Sequence, residues 1–111
     1  MTQESNEIVL ACRERMLALA DNEPESWHHW EHNQWQEALE HGPRYLCGHW
    51  FGGMPESRRM RYRRAIDALE TAGLLTTWRN GGLRLSHIKL TDAGLALAAT
   101  LSSSPQSENQ T

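Results

Sequence analysis

The change of hydrophobic period at Gly73 constrains this chain more than any other feature. Across residues 57–72 the apolar positions Tyr62, Ala65 or Ile66, Leu69 and Ala72 recur at three- and four-residue spacing, as on a helix with one buried stripe. Gly73 suits the left-handed backbone that follows a last helical turn. Residues 74–79 and 83–90 then alternate in the manner of strands, and they flank Asn80-Gly81, a pair that accepts the positive φ angles of a hairpin turn. A two-residue turn pairs Trp78 with Leu83 and Thr76 with Leu85, but leaves Ile88 and Leu90 with the wrong parity for that face. Either a bulge intervenes, or the loop is longer and Leu75 faces Leu90; the sequence leaves both open.

The front of the same helix carries Arg58, Arg59, Arg61, Arg63 and Arg64, and its rear carries Asp67 and Glu70. The helix dipole favours the opposite order, so an external anion is expected to supply compensation. The pattern puts Arg59, Arg63, Asp67 and Glu70 on the side away from the stripe, with Arg61, Arg64 and Ala68 on a flank. The whole chain has a net charge of −3, which by itself argues against a nucleic-acid partner. The charge is segregated, however. Residues 1–41 hold nine acids against Arg13 and Arg15, a balance of −7, whereas residues 42–101 balance at +5. Local field steers binding to a polyanion, so the second half qualifies as a nucleic-acid surface.

Elsewhere the chain reads as helices. Residues 8–20 form an amphipathic first helix, ended by Asp21-Asn22-Glu23-Pro24. Ser26 or a neighbour caps a tryptophan-rich segment, residues 27–41, on which Trp27, Trp30, Gln34 and Ala38 share a side. Gly42-Pro43 breaks it, and Pro43 opens a short helix over residues 43–51, where its missing amide hydrogen would be unpaired anyway. Residues 52–55 make a turn into the arginine helix, which begins at Glu56 or Ser57. Thr91 caps a last helix over residues 92–101, with Leu90, Leu97 and Leu101 along one side. The remaining residues, 102–111, read as a disordered tail. At 111 residues the chain suits one domain with a modest core. It lacks a membrane-length apolar run and a basic signal-type start, which predicts a cytoplasmic protein. Cys12 and Cys47 read as reduced thiols.

Residues 43–100 resemble the winged helix-turn-helix module of bacterial transcription regulators, including those of the multiple-antibiotic-resistance type. The resemblance rests on Arg64-Ala65-Ile66-Asp67-Ala68-Leu69-Glu70-Thr71-Ala72-Gly73-Leu74-Leu75, on the wing sequence Asn80-Gly81-Gly82, and on Lys89-Leu90-Thr91-Asp92-Ala93-Gly94. It implies a winged-helix domain of mostly helical α+β class with a C-terminal two-stranded wing; residues 1–41, which the resemblance does not cover, read as a helical extension of a single domain over residues 1–101. It also implies a recognition helix in the major groove and a wing on the adjacent groove or backbone. The chain departs from the family in its Gly52-Gly53-Met54-Pro55 turn and in the extra arginines at the helix start.

On this reading Ser57, Arg58, Arg59 and Arg61 lie nearest the helix start, where base edges are reached, and arginine's fork matches guanine O6 and N7. Arg63, Arg64, Arg79 and Arg84 hold phosphates. The plainer alternative pairs Arg63 with Asp67 and leaves the rest as a solvated face, with Arg79 and Arg84 protecting a hairpin edge. Double-stranded DNA is the expected partner, and a homodimer through the first and last helices is a further expectation. No cofactor is implied. The competing function is a winged helix used for protein–protein contact through its acidic half. His28 and His32, one turn apart, together with Cys47 and His49, match no strong zinc spacing. Nothing in the sequence has the form of a catalytic nucleophile elbow or a phosphate loop, so no enzyme is expected.

Overall fold

The computed structural model describes residues 2–24, 29–79, 81–82 and 84–103. Among these, the order of elements is α1 (Gln3–Asp21), α2 (His29–His41), α3 (Cys47–Phe51), α4 (Glu56–Thr71), β1 (Leu75–Trp78), β2 (His87–Leu90) and α5 (Asp92–Ser102). The fold is mostly helical α+β, in which a run of helices leads to an antiparallel hairpin and a final helix.

α1 starts at Gln3 rather than Ile8 because Thr2 caps it, its hydroxyl accepting from the Ser5 amide at 3.1 Å. It ends as expected, where the Asn22 side chain donates to the Ala18 carbonyl at 2.7 Å. Ile8, Val9 and Cys12 turn inward and join Tyr62, Ala65, Ile66 and Leu69 of α4, Leu75, Ile88 and Leu90 of the hairpin, and Ala98 of α5 in one buried cluster. Each large apolar side chain buried in this way contributes about 1.5–3 kcal/mol. α1 therefore packs against both α4 and α5 within one chain.

α2 is described only from His29, so Ser26 and Trp27 lie outside the described residues. Ala38 is buried, whereas Trp30 on the same side is 59% exposed. Gly42 stops the helix with φ +96°, and a Cβ there would lie 2.0 Å from the Ile88 carbonyl oxygen. That close approach sets up the segment that follows. The expected helix from Pro43 does not form; instead Pro43, Arg44 and Tyr45 run extended along β2. The Pro43 carbonyl accepts from the Ile88 amide at 3.2 Å, the Tyr45 amide donates to Ser86 at 2.9 Å, and Arg44 bridges to His87. A proline with no amide hydrogen fits this pairing as well as it fits a helix start, and here the sheet edge claims it. α3 begins only at Cys47.

The hairpin takes the longer-loop register. Leu75 pairs with Leu90, Thr77 with Ile88 and Trp78 with His87. Leu75, Ile88 and Leu90 thereby share one face and are all buried; a two-residue turn would have set Ile88 opposite Gly73 and carried Leu90 past the end of β1. The other face is covered by α2: the His41 ring stacks on Trp78 at 3.8 Å, and the Lys89 ammonium donates to the Leu39 and Glu40 carbonyls at 3.3 Å each. Gly73 takes φ +77° as the helix stop, and Thr91 caps α5 by accepting from the Gly94 amide at 3.2 Å while donating to the Gly73 carbonyl at 2.7 Å. Among the described residues, no helix is long and apolar enough to cross a membrane.

Candidate nucleic-acid interface

Four aromatic rings hold the front of α4 in place. Tyr45 meets Trp50 edge-on at 5.2 Å, Trp50 meets Phe51 at 6.1 Å, and Phe51 stacks on Tyr62 at 4.4 Å. Arg15 of α1 sits 4.6 Å above the Trp50 ring. This chain of contacts fixes α3 against α4 across the turn of residues 52–55. α4 itself begins at Glu56, with Pro55 offering no side-chain cap and its carbonyl accepting from the Arg58 and Arg59 amides.

Successive helical residues lie about 100° apart, so the buried Tyr62, Ala65, Ile66 and Leu69 define the inward direction. The opposite direction passes between Met60 and Arg64, with Ser57 and Arg61 to one side and Asp67 to the other. This corrects the expectation that Arg59, Arg63 and Glu70 face away from the core. Both Ala65 and Ile66 are buried, while Ala72 lies past the last turn and is exposed, and the stripe rotates accordingly. Arg59, Arg63 and Glu70 form a flank.

The arginines differ in their partners. Arg58 folds back along the buried stripe: its guanidinium donates to the Tyr62 hydroxyl at 3.5 Å and lies 5.8 Å from that ring. The Tyr62 hydroxyl in turn donates to the Glu7 carboxylate. Burial, reinforced by the bond to Glu7, raises the Tyr62 pKa. Arg61 reaches Glu4 of α1 at 3.8 Å, Arg59 is 3.7 Å from Glu56, and Arg63 is 3.0 Å from Asp67. The last is the pair the plainer reading named. The Arg64 side chain makes no hydrogen bond or ion pair with the described residues. Ser57, like all five arginines except the half-buried Arg63, is exposed. Glu4 and Glu7 thus bring the acidic start of the chain against the basic helix, a contact the segregated charge did not reveal.

Arg79 follows β1 directly and Arg84 lies in the hairpin loop; both are exposed. Asn80 and Leu83 lie outside the described residues. Arg84 shares a cleft of about 870 Å³ with Arg15, Arg44, Trp35, Glu37 and His87. His87 is buried at its floor, with Ser86 Oγ 2.7 Å from Nδ1 and Glu37 3.7 Å from Nε2. Burial lowers its pKa below the usual histidine value, against the pull of Glu37. Two of the tryptophan indoles are spent on backbone carbonyls, Trp35 donating to Leu19 and Trp50 to Arg44.

Of the metal-binding residues weighed from sequence, His28 lies outside the described residues, and among the described residues no group of three or more His, Cys, Asp or Glu side chains is arranged to hold an ion. The sequence gives Met60 no role, and it presents Lys89 only as one of the bases of the second half and as part of the closing motif. Met60 is 43% exposed on the outward face of α4, and its position between arginines was the available signal. Lys89 had none, because its partners are carbonyls of a distant helix. No family model matches the chain, and no curated protein or solved structure is significantly similar to it.

Proposed function

We propose that this chain binds double-stranded DNA as a winged helix-turn-helix protein and regulates transcription. In this reading α3, the turn of residues 52–55 and α4 are the helix-turn-helix, and β1 and β2 with their loop are the wing. The observation that carries it is the arginine-rich front of α4, exposed and braced from behind by Phe51, Tyr62 and α1. Its ion pairs with Glu56 and Asp67 lie at the surface, where such pairs are worth only about 0–1 kcal/mol, so phosphates compete for Arg59 and Arg63 at little cost. Ser57, Arg58, Arg59, Arg61, Arg63 and Arg64 supply the helix contacts, and Arg79 and Arg84 those of the wing. A dimer joined through the exposed Leu17 of α1 and Leu95 of α5 would present two such helices to symmetric half-sites.

Fluorescence anisotropy on a random-sequence duplex across a salt series tests the reading. Affinity is expected to fall steeply with salt, and the Arg59→Ala/Arg61→Ala double variant to bind more weakly with a slope shallower by about two. Retention that ignores both salt and the double substitution would overturn it. Sedimentation at micromolar concentration tests the dimer, which a monomer would refute.

A further inference from the structure

By sequence position alone, Ser57, Arg58, Arg59 and Arg61 are nearest the helix start and are the residues expected to reach base edges. The side-chain geometry of α4 divides them differently. Arg58 lies on the inward side, one turn before Tyr62, and its guanidinium is engaged with that phenol. Arg59 and Arg63 lie on the flank and pair with carboxylates of their own helix. What remains is a single outward stripe of Ser57, Met60, Arg61 and Arg64.

These positions follow i, i+3, i+4 and i+7 spacing, the same spacing by which the third helix of a homeodomain reads the major groove. The stripe's centre is occupied by Met60 and Arg64. Met60 is an exposed large hydrophobic in a helix front that is otherwise charged or polar, and burial in the core does not account for it. Arg64 has no competing partner among the described residues, whereas Arg61 is held towards Glu4, itself only 17% exposed.

We propose, resting on the DNA-binding reading above, that Met60 and Arg64 are the residues that specify sequence. Arg64 donates two parallel hydrogen bonds to O6 and N7 of a guanine, and Met60 lays its thioether chain against the 5-methyl group of a thymine one helical turn of the protein away. Arg59 and Arg63, on the flank, hold phosphates. Arg61 exchanges Glu4 for a phosphate or base on binding.

In-vitro selection from a randomised duplex pool, run with the full chain, tests this. Wild type is expected to enrich a motif containing a required guanine and thymine. Arg64→Ala should lose about ten- to hundredfold preference at the guanine, and Arg64→Lys should lose the same preference while retaining most of the pool affinity, because lysine keeps the charge and lacks the fork. Met60→Ala should relax only the thymine. Arg59→Ala should weaken all sequences alike and leave the motif unchanged. All three sites, Arg59, Met60 and Arg64, are exposed, and unchanged thermal melting would exclude misfolding.

A wild-type motif that survives Arg64→Ala and Met60→Ala unaltered would overturn the assignment while leaving DNA binding intact. Salt-sensitive retention with no enriched motif would also overturn it, since nothing would then be read. Failure of wild type to retain any duplex would instead remove the DNA-binding reading and this assignment with it.

Discussion

The Tyr62 hydroxyl donates to the Glu7 carboxylate, tying the middle of α4 to the first half of α1. Hydrogen bonds to charged groups are worth about 1.5–3 kcal/mol, and the half-buried position of Glu7 lets water recover part of that. Tyr62→Phe keeps the stack on Phe51 and should cost about 1 kcal/mol, lowering Tm by about 4–8 °C. Because the folded-state pKa of Tyr62 is raised by burial and then by Glu7, its neutral form stabilises the fold fully below the unfolded value of about 10. That contribution disappears as pH climbs through the higher folded value. Melting curves at rising alkaline pH should show the loss in wild type and a weaker one in Tyr62→Phe; equal slopes would count against the pairing.

Acid should act through His87. Its folded pKa lies below the ordinary 6.5 because the ring is buried, so the unfolded chain binds this proton more readily. Its contribution to stability is complete above about pH 6.5 and declines as pH falls through the folded value. Glu37 opposes the decline, while His41 and Arg44 add to it. Denaturant titrations at pH 7.5 and 5.5 should give a smaller pH difference for His87→Gln than for wild type, whatever the variant's absolute stability. An unchanged difference would place the acid sensitivity elsewhere.

Lys89 closes the end of α2 by donating to Leu39 and Glu40. Cations at helix C-termini contribute about 0.3–1 kcal/mol. Lys89→Met, which retains most of the side-chain bulk, should therefore lower Tm by about 2–6 °C. If the proposed DNA binding holds, the same substitution should leave its salt dependence nearly untouched, because this ammonium is engaged by the α2 carbonyls.

Gly42 combines a positive φ with contact against the Ile88 carbonyl. Gly42→Ala must relieve backbone strain and move β2, at a cost of about 3 kcal/mol or more. Loss of a cooperative thermal transition, or a large fall in its midpoint, is the expected result. A near-wild-type melt would mean that residues 43–45 can leave the sheet edge cheaply.

Features set by neighbours in sequence were legible. The Thr91 cap and the Gly73 stop each act within one turn of where they stand, and the longer loop that sets Leu75 opposite Leu90 is one of the two arrangements the strand pattern leaves open. Features set by distant partners were not. Pro43 reads as a helix start until β2 is known to lie beside it, and Lys89 reads as part of a basic surface until α2 is placed beneath it. Among the arginines the sequence supplied the set but not its division, because Arg58 and Arg61 are distinguished by Tyr62, Glu7 and Glu4 across an interhelical contact. The rotation of α4 depended on whether Ala65 or Ile66 was buried, and both are.

The thiol of Cys12 lies in the centre of the core, within 3.7 Å of the Ile88 carbonyl, and burial pushes its pKa up to about 12. Cys47, beside Met54, is only half-buried. The protein thus carries two internal clocks for a thiol-alkylating reagent: Cys47 reports local breathing around α3, whereas Cys12 is modified only when α1 parts from the sheet. Their ratio of labelling rates gauges how far the whole fold must open, without any introduced probe.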